Sequence, residues 1–333
     1  MDVLGISFGI DTSAALVRDG RTVAAALEER PPDARGPVLW LAPSDDEADR
    51  ITRELRFFGI PARTLPAWDV LPYAGYSPSA SVCHRRLSAL YALASDPDAV
   101  VVAAPQALLK RSLPPADLLA LADEVVVGED VDRDALVRRL VERGYFSTDL
   151  CSEPGTFSVR GGILDVFAPS YPLPLRIDFW GDEVESIRTF DPHTSRSRKA
   201  LDRAVLLPIR EEVLSESALA QLPSRLKALA DARGVIPGKR IQIQDELRES
   251  RLVQEIELYL PVLRADPLVS VLDYLDRPHA LLIHQDPAAV ASALYGESEE
   301  LLLRYEREDG AGRLLPEPEE LWLNGDQLDA AAR

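Results

Sequence analysis

Residues 155–191 read GTFSVRGGILDVFAPSYPLPLRIDFWGDEVESIRTFD, and the alternation in this stretch decides how the surrounding chain is understood. It predicts an antiparallel meander of short strands. The first ends at Arg160, Gly161-Gly162 bends the chain into Ile163–Phe167, and a Pro-rich link covers Ala168–Pro174. Leu175–Trp180 follows, then a Gly181-Asp182 turn and a last strand to Phe190. Side chains on a strand alternate between faces. Leu175, Ile177 and Phe179 therefore share one face, with Arg176, Asp178 and Trp180 opposite; Phe157 and Val159 likewise oppose Thr156, Ser158 and Arg160. An isolated surface aromatic needs no special explanation, and neither does a solvated arginine. A Trp sharing a polar face with two arginines points instead to a protein-binding face, because Trp and Arg are over-represented among binding hot spots.

Upstream, Val38–Ala42 reads as a buried strand. Ser44, with Glu47 three residues on, forms a capping box for a helix whose apolar face is Ala48, Ile51, Leu55 and Phe58, ended by Gly59. Ala62–Leu65 predicts a strand, Pro66–Pro78 a loop rich in aromatics and prolines, and His84–Leu93 a helix. Ala99–Ala103 is a buried strand and Pro105–Lys110 a short helix. Strands alternating with helices imply an α/β fold with a doubly wound parallel sheet. The meander is then a small α+β unit inserted in it, introduced by the amphipathic helix Asp132–Gly144 with Leu136, Val137, Leu140 and Val141 inward. After the meander, His193–Lys199 reads as a polar connection and Ala204–Ile209 as a strand leading back to the first unit. Residues 215–258 are charged and helical, Ala280–His284 is another buried strand, and Asp286–Glu306 a helix. Ahead of all this, Val3–Phe8, a turn at Asp11-Thr12-Ser13, Ala14–Val17 and an Asp19-Gly20 hairpin turn into Thr22–Leu27 form a small unit of their own. The expected divisions are 1–30, 31–118, 119–198 and 199–333.

Composition narrows the function. Asp and Glu outnumber Lys and Arg by 55 to 37, a net charge of −18 that opposes a phosphate backbone and makes DNA binding weak and non-specific unless a local basic patch overcomes it. Two cysteines, Cys83 and Cys151, fit a reducing cytosol, and four scattered histidines offer no metal-ligand spacing. No run approaches the ~18 apolar residues of a membrane span. No G-x-x-x-x-G-K-[ST] loop occurs to cradle a nucleotide's phosphates, so neither ATPase activity nor nucleotide affinity is expected. Gly128-Glu129-Asp130 and Gly234–Lys239 read as turns. Asp123-Glu124, which has the form of a Walker B pair, reads as a charge pair at an element end.

The pattern G-x-F-x-V-R-G-G-I-L-D-V-F-x-P followed by P-x-R-I-D-F-x-G-D-E-x-E-S-I-R-x-F-D resembles domain 2 of the UvrB-like module, found in UvrB and at the N-terminus of bacterial transcription-repair coupling factors. IELYLPVL (256–263), VLDYL (271–275) and EELWL (319–323) extend the resemblance to the coupling factors over roughly residues 36–323. It implies a degenerate helicase-like domain 1 carrying an inserted domain 2. It further implies a cytoplasmic, non-catalytic module that contacts UvrA, the damage-sensing subunit of nucleotide excision repair. Arg160, Arg176 and Trp180 match the family positions used there, Trp180 replacing the usual Phe. No catalytic, cofactor or metal residues are implied here. ATP and Mg belong to the motor domains of full-length family members, and RNA polymerase and DNA are met by domains outside this chain. The alternatives are a nucleotide-binding enzyme fragment and an autoinhibitory clamp on a translocase motor. Residues 1–30 separately resemble the start of nodulation-type carbamoyltransferases, of the actin-like ATPase superfamily; a lone hairpin builds no active site, and these residues are expected to be dispensable for the rest of the fold.

Overall fold

A computed structural model describes residues 2–8, 11–18, 21–26, 36–211, 216–234, 255–276, 281–284, 286–310 and 313–332, with positions 238, 241 and 245; in 2–26 the description is of backbone alone. Three strands, β1 (Asp2–Phe8), β2 (Asp11–Arg18) and β3 (Arg21–Ala26), pair antiparallel in that order. Asp11, Thr12 and Ser13 were expected in a turn but open β2, in register with Phe8, Ser7 and Ile6. The apolar run that pairs with them extends the ladder to its end.

A parallel sheet has the order β15-β4-β6-β5, with β4 Val38–Leu41, β5 Arg63–Leu65, β6 Val100–Ala103 and β15 Leu281–His284. Every residue of β4 and β6 is buried because helices close both faces. On one side α1 (Asp45–Phe57) brings Ala48, Ile51 and Leu55 against Val38, Trp40, Val100 and Val102. On the other, Leu87, Leu90 and Leu93 of α2 (Ala80–Ser95) join Leu39, Leu41 and Val101, in one core with Val290 and Leu294 of the helix Pro287–Gly310. Ser44 caps α1, its hydroxyl accepting from the Glu47 amide. Phe58, expected on the inner face of α1, sits at the C-cap where Gly59 (φ +85°) turns the chain away, and it remains exposed beside Phe57.

The meander belongs to a second, mostly antiparallel sheet of order β13-β12-β11-β10-β9-β8. Its strands are β8 Phe146–Ser147, β9 Thr156–Arg160, β10 Ile163–Val166, β11 Leu175–Trp180, β12 Glu183–Phe190 and β13 Ser197–Leu201. Leu164, Val166, Leu175, Ile177, Phe179, Val184 and Ile187 form its core with Leu136 and Leu140 of α3 (Arg133–Glu142). Val137 only flanks that core and Val141 is exposed, since a ten-residue helix laid on a sheet buries a narrow stripe. At the hairpin tip a Cβ on Gly162 would stand 2.8 Å from the Phe179 carbonyl oxygen, so only glycine lets β10 follow β11 so closely.

The sheet and core of this unit continue past residue 198. Residues read as a polar connection form β13, which pairs with β12, and the core continues through Ala204, Leu206 and Ile209. Here β14 (Arg203–Leu206) does not join the parallel sheet; it pairs antiparallel with β7 (Asp123–Val126), so the chain enters and leaves the unit through adjacent strands. A buried ion pair, Lys110–Glu211 at 3.0 Å, ties this exit to the parallel-sheet unit. Asp123 pairs with Arg139 and Arg143, and Glu124 with Arg203, so both acids are structural. Of the other expected turn, Gly234–Lys239, most lies outside the described residues. Among the described residues no helix is long and apolar enough to cross a membrane and no cluster suits a metal ion.

Candidate protein-binding face

One face of the meander is core; the other is open. β11 alternates buried and open along its length, as its sequence demands, and its outward side chains are Arg176, Asp178 and Trp180. Register supplies their neighbours: Asp165 of β10 stands opposite Arg176 and Ser158, and Arg188 of β12 stands opposite Arg176.

Asp165 organises the face. Its side chain is 1% exposed, and the guanidinium of Arg176 grips it with two bonds, Nε to Oδ1 at 2.7 Å and an η nitrogen to Oδ2 at 2.8 Å. Arg160 donates to Oδ2 from the other side at 2.6 Å. A buried carboxylate needs such partners, and the fork-to-fork geometry is the strong form of the contact. The bond to Asp165 holds Arg176 above the ordinary arginine range, and its guanidinium stacks 4.4 Å over the ring of Phe190. The facing guanidiniums of Arg176 and Arg188 would repel, as like charges across strands do, but each turns to its own acid: Arg188 pairs with Asp178, which also accepts from Ser186 at 2.6 Å. Beneath them Cys151, Phe167 and Phe190 form a small apolar cluster, and burial pushes the Cys151 thiol up to about 11, which keeps it unreactive.

The three expected residues are therefore not equivalent. Trp180 is 78% exposed beside the Gly181-Asp182 turn, and the Arg160 side chain is 52% exposed. Arg176 is only 13% exposed, unlike the freely presented side chain expected: its Nε and one η nitrogen already bond Asp165. Asp165 and Arg188 were missed, and Asp178, placed on this face by alternation, was not foreseen as the partner of Arg188. A signal existed for Asp165, a charged residue inside the apolar run Ile163–Val166, but its partners come from other strands. The face holds acids and bases already paired, and offers a flat aromatic and one half-exposed cation.

A family model described as the UvrB interaction domain matches residues 124–211, the span from β7 past β14. Residues 124–211 thus resemble a UvrB interaction domain. Over most of its length the chain is also related to transcription-repair-coupling factors. It is 38% identical to that of Myxococcus xanthus over 263 residues, 76% of this chain and 22% of the relative. The Escherichia coli protein is 29% identical over 310 residues, 92% of this chain and 26% of the relative. The UvrABC system protein B of Acinetobacter baylyi is 38% identical over 143 residues, 43% of this chain and 21% of the relative. The chain thus spans about a quarter or less of these relatives, and it aligns with the coupling factors over more of its own length than with UvrB. The open face lies wholly within residues 124–211.

Proposed function

We propose that this chain is a non-catalytic docking module for UvrA, the N-terminal UvrB-like part of a transcription-repair-coupling factor acting in nucleotide excision repair. The observation that carries the reading is Trp180, a large aromatic left 78% exposed on the same open face as a half-exposed arginine. Such a side chain adds apolar contact at small entropic cost, and Arg160 can still offer donors beyond the one given to Asp165. Arg176 serves differently: it holds Asp165, which in turn fixes Arg160. RNA polymerase and DNA are assigned to other parts of such a protein, where ATP would also be used. The missing phosphate loop favours binding over catalysis for this part.

The test is a binding titration of the purified chain with UvrA. Trp180→Ala and Arg160→Ala should each weaken the complex more than ~20-fold, the effect of losing a hot-spot residue worth ~2 kcal/mol. Wild-type affinity in both variants sinks the proposal.

A further inference from the structure

On the parallel-sheet unit, α1, α2 and β5 enclose a cavity of about 380 Å³, closed at one side by Pro169 and Ser170 of the Pro-rich link. Helical spacing builds it. Asp49, Arg53 and Arg56 fall at i, i+4 and i+7 on α1, a polar stripe beside the buried Ala48, Ile51 and Leu55. Arg85 comes from α2 and Arg63 from the start of β5. Four guanidiniums thus face one carboxylate in a chain whose net charge is −18.

These cations are poorly compensated. Arg85 reaches Asp49 at 3.4 Å, but both side chains are about half exposed, and such pairs contribute little. Asp49 also accepts from the Thr64 hydroxyl at 2.9 Å. Arg56 donates its Nε to the Ala62 carbonyl at 2.7 Å, which orients the rest of the fork. Arg53 and Arg63 form no ion pair or side-chain hydrogen bond with any described residue. His84 lies at the base of the cavity, 1% exposed, and neither ring nitrogen has a partner in hydrogen-bond geometry, although the Pro208 carbonyl lies near enough to influence it. Guanidiniums with so few partners, gathered around a concave, polar space, are the complement of a multiply charged oxyanion.

We propose that this cavity binds phosphate groups. Guanidinium forks match phosphate oxygens two at a time, and the volume lies within the range of small-ligand pockets. The site uses side chains rather than the backbone amides of a phosphate loop, so the missing G-x-x-x-x-G-K-[ST] pattern does not bear on it. The same chemistry is offered by a free phosphoanion and by the backbone of a nucleic acid, and the cavity is the local basic patch that an acidic chain requires for either.

Calorimetry of the full chain with inorganic pyrophosphate, at low salt and without magnesium, tests the site, with a parallel titration of a short DNA duplex. Arg53 is exposed and Arg63 half-buried, and neither is paired, so Arg53→Gln and Arg63→Gln should keep the fold; a thermal melt checks this. Saturable pyrophosphate binding that weakens at least ~10-fold in each variant supports the site. If the duplex binds with the same dependence and pyrophosphate displaces it, the source is a nucleic-acid backbone. If the duplex is indifferent to the variants, the source is a free phosphoanion. Duplex binding that depends on both arginines supports the site even where pyrophosphate alone is too weak to saturate. Absence of binding in both titrations overturns the proposal, as does binding untouched by the double variant, or equal arginine-dependent binding of polyglutamate.

Discussion

In the parallel sheet every residue of Val38–Leu41 and Val100–Ala103 is buried; in the meander, Leu175–Trp180 alternates buried and open to its last residue. Helices cover the first sheet on both faces, whereas the second has one covered face and one free. A sheet closed on both faces has no outward side chains, so its unit can bind only at helix flanks and strand ends, where the arginine cavity lies. A half-covered sheet can present residues directly, but an outward charge must then be neutralised by a neighbour in the same sheet. Asp165 with Arg160 and Arg176, and Asp178 with Arg188, do so. Trp180, 78% exposed, is left out of these pairs.

The strongest way to break this comparison is to show that the two cores are unequal. Leu39 and Ile177 are both 0% exposed. Truncating either to Ala should cost about 2–5 kcal/mol in denaturant unfolding. If Ile177→Ala costs less than 1 kcal/mol, the meander has no tightly packed core and its face is not a rigid platform.

Next comes acid. Burial holds His84 down to about 4, below the ordinary histidine value, so the native state resists a proton that the unfolded chain accepts. The resulting stability is fully present above about pH 6.5 and is lost as pH falls towards 4, up to about 3 kcal/mol. His84→Leu should remove that part of the pH dependence; an unchanged slope would place the acid sensitivity elsewhere.

Arg176→Ala should lower stability by about 2–3 kcal/mol, because it strips two charge-assisted bonds from a buried carboxylate. Arg160 remains on Asp165, which limits the loss. A melt within error of wild type would return Arg176 to the role of a free binding residue.

Smallest in stability is Trp180→Ala, within about 0.5 kcal/mol, as expected of an exposed side chain. Its effect should appear in UvrA binding alone. A larger drop in melting temperature would make Trp180 part of the fold and remove the distinction between the paired and presented residues.

Much of this was legible in the sequence. The limits of Leu175–Trp180, its two faces and the turn at Gly181-Asp182 follow from alternation and turn chemistry. The apolar stripe Ala48, Ile51, Leu55 follows from helical period. What escaped depends on which strands lie side by side. Alternation puts Arg176 outward but is silent on Asp165, eleven residues earlier in sequence and directly opposite in space. Val159 shares a face with Phe157 by parity, yet it is 40% exposed near the end of its strand. Ser197–Leu201, SRKAL, carries no strand signature; it is drawn into the sheet by the free edge of β12. The arginine cavity was invisible because its cations are spread over residues 53–85 and three elements.

The ribbon of β7 and β14 has a consequence for descent. Because the strands entering and leaving the meander lie side by side, cutting both would leave two ends about 4.8 Å apart. A graft at that point needs to bridge no gap in the recipient, and the recipient's own chain closes again behind a removed copy. A piece joined to its host by so narrow a stalk is portable, so one docking surface can pass between proteins whose remaining parts do different work.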